Sequence, residues 1–379
     1  MRLVLLGDGQ SPHLLKWARA LAPQVELWAA SSRGFLPGFD ALVPPQRRLA
    51  LGTQPAFEGG NAALLRHLPT LARWLRRVQA DWIHAHYLTS HGTLAWLATH
   101  WLGAPGRLVG SAWGSDILLT PQRSALMRWL TGRVLRACTL ATSDSQAMTR
   151  QMHALGAGEV MTFPFGLAHL PPLPQAGTRH PHLFFANRGL EPLYAPQRVL
   201  HLFAAIASRW PDARLVVANG GSLRPQLERQ AAQAGLQDRV QFVGRLDEAA
   251  QDRCYAQARW YLSLPESDSV SVSVLEAMGW GCIPILSDLP ANHELVRSGI
   301  NGLVLGGQNN PGADGLAAQL DSLLLRADDI AQANHAWVAE HAMFPVAVAA
   351  FLGRLRALQA GRPGSAPGPR APLSAGPPP

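Results

Sequence analysis

Short apolar runs alternate with helical patterns along the chain, and this alternation limits its possible folds more than any other feature. Strands separated by helix-length segments pair in parallel, because a parallel neighbour needs a long crossover; the pattern predicts βαβ units and doubly wound parallel sheets. In the first half the runs are RLVLLG, QVELWAA, DWIHAH, RLVGSAW and CTLATS, and in the second HLFFAN, ARLVVANG, RVQFVG, RWYLSL and CIPILS. Between the two sets lies FPFGLAHLPPLPQAGTRHPH, proline-rich and without either period, which reads as a linker. The 379 residues are too many for one ordinary core. We therefore expect two Rossmann-like domains, 1–165 and 182–345, joined by a linker over 166–181 and facing a central cleft bordered by the carboxyl ends of both sheets. A C-terminal helix is expected over 346–360. The tail GRPGSAPGPRAPLSAGPPP, 361–379, is expected to be disordered.

Composition narrows the class. With 47% hydrophobic and 15% charged residues, the chain belongs with well-cored globular proteins. No apolar run approaches the roughly 18 residues of a membrane span. The opening MRLVLLGDGQSPHLL is broken by Gly7, Asp8 and Gly9, so it reads as a buried first strand, not a signal peptide, and a cytoplasmic location follows. Cys138, Cys254 and Cys282 are odd in number and widely spaced, which suits neither a zinc site nor a disulfide framework. GDGQSPH lacks the third glycine of the dinucleotide fingerprint, and no acid is well placed for a ribose about 20 residues on, which argues against a dehydrogenase.

The stretch PESDSVSVSVLEAMGWGCIP, residues 265–284, has an ambiguous period. Strict Ser/Val alternation suits a strand, but a strand directly after RWYLSL leaves no room for a crossover, so strand, loop and helix is the expected order. Asp268 then lies in the loop, and Glu276 lies near a helix start whose free amides and dipole suit phosphate. Ser273 and Glu276 also have the spacing of a capping box, which would make Glu276 only a helix-start residue.

From about 215 to 305 the chain resembles the nucleotide-binding domain of retaining glycosyltransferases of family 4, which have the GT-B fold. The pieces that carry the resemblance are ANGGSLRPQLERQAAQAGLQDRVQFVGRL, SDSVSVSVLEAMGWGCIPILSDLPANHELV and RSGINGLVL, with weaker likeness in IHAHYLTSHGTLAWL, SAWGSDIL, ATSDSQAM and FPFGL. The resemblance implies transfer of a sugar from a nucleoside diphosphate to an acceptor hydroxyl with retained anomeric configuration, without a metal or other cofactor. In the family two acids separated by seven residues hold the donor, one at its sugar and the other at its ribose; here they are Asp268 and Glu276. Arg188 matches the diphosphate-binding arginine, a role its planar fork suits, although a surface pair with Glu191 is the plainer alternative. Gly9, Asn187, Gly244, Arg245, Ser269, Val270 and Ser271 complete the donor set by the same resemblance.

The chain departs from that pattern in three ways. Asp268 stands where the family usually has Glu, which marks a subfamily. The phosphate lysine that follows the arginine is missing: its place falls near Tyr194, and Lys16 is the only lysine in the chain, leaving Arg245 as a possible second cation. Trp113 replaces a histidine before glycine in SAWGSDI and could stack on a sugar or fill the core. Asp116 could accept a hydroxyl or cap the next helix, and capping is the commoner role. His84 and His86 in HAHY lack ligand-spaced partners, so no metal is expected, with His86 kept as a possible sugar or acceptor contact.

The first 165 residues hold 16 Lys and Arg against 8 Asp and Glu, whereas the remainder holds 17 of each, so the whole net charge of +8 sits in the first half. LLRHLPTLARWLRRVQADW and ALMRWLTGRVLRA are amphipathic and arginine-rich, which points to an anionic membrane surface. The resemblance adds a glycan or lipid-linked acceptor for this half, in bacterial surface polysaccharide or glycolipid synthesis at the inner face of the plasma membrane. No nucleic-acid motif is present. A nucleotide-sugar epimerase and a non-catalytic sugar-nucleotide binder remain alternatives.

Overall fold

The structure is a computed structural model that describes residues 1–53, 61–306 and 313–361. Apart from Gly361, the segment expected to be disordered lies outside the described residues. Among the described residues the chain divides into two compact units, Met1–Phe163 with 345–361, and Pro164–Phe344.

In the first unit seven strands form one sheet: β1 (Arg2–Gly7), β2 (Glu26–Ser31), β3 (Arg48–Ala50), β4 (Trp82–His86), β5 (Arg107–Ser111), β6 (Leu140–Ser143) and β7 (Val160–Thr162). Their order is β3-β2-β1-β4-β5-β6-β7 and every pairing is parallel. The five runs read as strands are all present. The two that the sequence did not reveal, β3 and β7, have three residues each and lie at the sheet edges, too short to show a period. The strands β1 and β4 are buried on both faces, as a sheet covered by helices on either side requires.

The last helix, Phe344–Gln359, belongs almost wholly to this first unit. Arg354 grips Glu159 with both prongs of its guanidinium, Nε at 2.5 Å and Nη2 at 2.6 Å. Arg107 donates to the carbonyl of Leu358 at 2.8 Å. Phe351 is fully buried, its ring 5.3 Å from Trp17 and 4.9 Å from His84.

In the second unit the strands are β8 (His180–Ala186), β9 (Arg214–Ala218), β10 (Val240–Gly244), β11 (Ala258–Ser263), β12 (Ile283–Ser287) and β13 (Leu303–Leu305). The order β10-β9-β8-β11-β12-β13 is again all parallel. Both sheets therefore have the doubly wound order, which reverses between β1 and β4 and between β8 and β11. Ligands of such sheets bind beyond the carboxyl ends of the strands at that reversal.

His84, His86 and His91 are buried in the first unit. Desolvation lowers their pKa values, His84 to about 3 and His91 to about 4, and His86 is further depressed by the neighbouring histidines. The unfolded chain thus takes up protons below pH 6.5 that the folded unit refuses. Stability is complete above that pH and is lost as pH falls, by about 1.4 kcal/mol per pH unit for each histidine. Urea unfolding at pH 7 and pH 5 should show this loss, and His84→Gln should reduce its slope by about one proton.

Candidate functional site

The reversal in the second sheet gathers the chemistry-bearing residues. Asn187 and Arg188 follow β8, and Asp268 lies in the loop after β11, so neighbouring strand ends deliver them to one place. Arg188 donates from Nη2 to Asp268 Oδ2 at 2.6 Å, from Nη1 to Ser271 Oγ, and more weakly to Ser273 Oγ at 3.4 Å. Its guanidinium lies over the Tyr194 ring, 4.5 Å from the centroid. Burial opposes the Arg188 charge, but Asp268 and the surrounding tyrosine oxygens outweigh it and raise the pKa. Asp268 is raised by desolvation, against the pull of Arg188 and the Ser269 amide. Both side chains are about four-fifths buried, so neither charge is well solvated and each depends on the other.

The Ser/Val alternation begins in the loop and enters a helix at its second half, Val272–Gly279, closed by Gly281 at φ +76°. Its N-cap is Ser271, whose hydroxyl is engaged by Arg188 and makes no capping bond. The amides of Val272 and Ser273 consequently find no acceptor among the described residues. Glu276 sits five residues past the cap, so the capping-box reading does not hold. Its carboxylate instead accepts from the Tyr255 hydroxyl at 2.9 Å and from Gln251 at 3.4 Å. The plain alternative for Arg188 also fails, because Glu191 accepts from the amide and hydroxyl of Ser222.

Asn187 links the two ends of this array. It donates to the Tyr255 hydroxyl at 2.8 Å and accepts from the Tyr261 hydroxyl at 2.7 Å, while Tyr261 lies 2.8 Å from Ser273 Oγ. Burial pushes both tyrosines upward, so they stay protonated donors. Ser269 is buried in the same loop, and Val270 turns its side chain into the core, leaving only its backbone for a ligand. Gly244 ends β10 at φ +73°; Arg245 beyond it is exposed and makes no hydrogen bond or ion pair with the described residues. The sequence reading missed Tyr194, Tyr255 and Tyr261. Composition held the one available signal, since the chain has only four tyrosines and three converge here.

The remaining expected residues belong to the first unit. Gly9 follows β1, where an added Cβ would come within 2.6 Å of the Gly34 carbonyl oxygen, so no side chain fits. His86 ends β4 and accepts from Trp113 Nε1 at 3.1 Å; the tryptophan is thus a hydrogen-bond donor at the strand end. Asp116 is not the N-cap, a position taken by Gly114. Its carboxylate accepts from the amides of Leu88 (2.8 Å) and Trp113 (2.9 Å), fully buried, with desolvation lifting its pKa to about 6.

Residues 177–336 match the family model of glycosyl transferases group 1, and residues 2–145 match that of glycosyl transferase 4-like domains. The protein is a two-domain glycosyltransferase. The enzyme is 26% identical to phosphatidyl-myo-inositol mannosyltransferase of Mycobacterium leprae over 84% of this chain and 85% of that one. It is 30% identical to GDP-mannose:cellobiosyl-diphosphopolyprenol alpha-mannosyltransferase of Xanthomonas oryzae pv. oryzae over 34% of each chain. Among solved structures, Anabaena HepE in complex with UDP superposes on the glycosyltransferase with a TM-score of 0.72 at 16% identity, covering 93% of this chain and 100% of that one. That likeness confirms the GT-B fold expected from the sequence.

Because Asn187 satisfies two buried hydroxyls at once, Asn187→Ala should destabilise the enzyme by about 1–3 kcal/mol. Thermal unfolding of that variant against wild type measures the loss.

Proposed function

We propose that the enzyme transfers a hexose from a nucleoside-diphosphate sugar to a lipid-linked or glycan acceptor, with retention of configuration and without a metal. The observation that carries this reading is the pairing of Arg188 with a helix start whose first amides lack acceptors. Departure of a nucleoside diphosphate builds negative charge on phosphate oxygens, and a guanidinium with oriented amides stabilises that charge best where water is excluded. Asp268 would take hydroxyls of the donor sugar and Glu276 those of the ribose, with Asp in place of Glu as a subfamily trait. Asn187, Gly244, Ser269, Ser271 and the Val270 backbone would line the donor.

The mannosyl transfer in the names of both curated relatives, and the lipid in each, favour a membrane acceptor. The first unit suits that surface. Helix Ala125–Ala137 exposes Leu126 (64%) and Trp129 (49%), with Arg133 over the Trp129 ring at 5.5 Å and Arg128 beside them. No described helix is long and apolar enough to cross a membrane. Contact would thus be peripheral, each basic residue near anionic lipid contributing about 1 kcal/mol. The corresponding location is the inner face of the plasma membrane, with Gly9, His86, Trp113 and Asp116 on the acceptor-binding half.

The test is sugar transfer from UDP- and GDP-hexoses to lipid extracts. Arg188→Ala, Asp268→Ala and Glu276→Ala should each lower turnover by roughly a hundredfold or more when assayed well below the melting temperature of the variant, which the loss of a buried partner lowers. Wild-type rates in all three would refute the reading. Donor alone should emerge unchanged, whereas conversion of the free donor would indicate an epimerase.

A further inference from the structure

We infer that Tyr194 is the positioning residue of the phosphate site, holding Arg188 by one face of its guanidinium so that the edges stay open to the diphosphate. The inference rests on the donor reading above. With Lys16 the only lysine in the chain, Arg188 is the cation that meets Asp268 and Ser271 where β8 and β11 end, and the nearby Arg198 is engaged by Glu266. A single cation must be held firmly without being used up.

The contacts of Arg188 divide into two kinds. Asp268, Ser271 and Ser273 occupy N–H groups at the guanidinium edge, and a phosphate would have to compete with them. Tyr194 occupies no N–H group, because its ring meets the face at 4.5 Å. Nε of Arg188 is buried and has no acceptor among the described residues, which leaves an edge donor to be satisfied. A bound diphosphate can therefore displace the carboxylate while the ring contact persists.

The loop holds the ring in place before any ligand arrives. Tyr194 ends the turn Pro192–Tyr194, and the next residue, Ala195, is buried at φ +43°, a left-handed conformation that costs a non-glycine residue free energy. The chain then enters helix Pro196–Arg209 directly. Gly189 faces the ring, where an added Cβ would lie 3.1 Å from Tyr194 Cε2. The strained turn and the missing side chain at Gly189 together let the ring reach the guanidinium.

The experiment measures Kd for UDP and GDP by calorimetry on the full chain at fixed salt, together with melting temperatures. The proteins are wild type, Tyr194→Phe, Tyr194→Leu, Arg188→Ala and the Arg188→Ala/Tyr194→Leu double variant. For whichever nucleotide binds wild type, Tyr194→Phe should stay within about twofold, and Tyr194→Leu should weaken binding roughly five- to thirtyfold. In the Arg188→Ala background the leucine should add less than about twofold, since the residue acts through the arginine. If the leucine variant melts lower, Tyr194→Met is read in its place. Equal weakening in both backgrounds, or no weakening by Tyr194→Leu while Arg188→Ala weakens binding, overturns the positioning role. No binding by wild type, or binding indifferent to Arg188→Ala, overturns the donor reading itself.

Discussion

A guanidinium and a carboxylate meet at 2.6 Å where two neighbouring parallel strands end, and the chemistry of the second unit is arranged around that contact. Neither side chain is well solvated there, so each charge is tolerated because the other is present. The contact also draws Ser271 away from its usual capping duty, which leaves amides of the following helix without acceptors. The pair thus balances its own charge and leaves the helix amides beside it available as donors. Around it, Asn187, Tyr255, Tyr261 and Glu276 form a hydrogen-bonded array whose members constrain one another's orientation, the kind of buried polar network that must be satisfied throughout to be stable.

The first unit is organised differently. Its strand ends carry buried imidazoles and an indole donor, with the Arg33–Asp8 pair after β1 and β2. Its sheet is completed by the helix Phe344–Gln359, held by the Arg354–Glu159 pair and by packing of Phe351 against Trp17. The excess basic charge of this half coincides with a helix that exposes Trp129 and Leu126 beside arginines, whereas the second half is balanced in charge. The proposed function assigns donor chemistry to one unit and surface attraction to the other along that division.

Much of this was legible in the sequence because parallel, doubly covered strands leave long apolar runs. Ten runs announced ten strands, while β3, β7 and β13, with three residues each, were too short to show. The helix after β11 was predictable from the crossover rule even though its Ser/Val period suggested a strand. Arg188, Asp268 and Glu276 were singled out by the chain's resemblance to its family, and the structure brings Arg188 and Asp268 together. Their direct interactions were not legible, because hydrogen bonds spanning some 80 residues leave no local period. The tyrosines escaped notice for the same reason: the hydroxyls of Tyr255 and Tyr261 matter only once Asn187 is brought beside them. The C-terminal helix was expected, but nothing in its own pattern told which sheet it would cover.

The most direct test of the account is a crystal structure of the full chain with bound UDP or GDP. The account predicts the diphosphate against the amides of Val272 and Ser273, with Arg188 turned from Asp268 onto phosphate oxygens and Glu276 at the ribose. A nucleotide bound elsewhere, or bound here with the Arg188–Asp268 contact intact and the helix amides untouched, would contradict it.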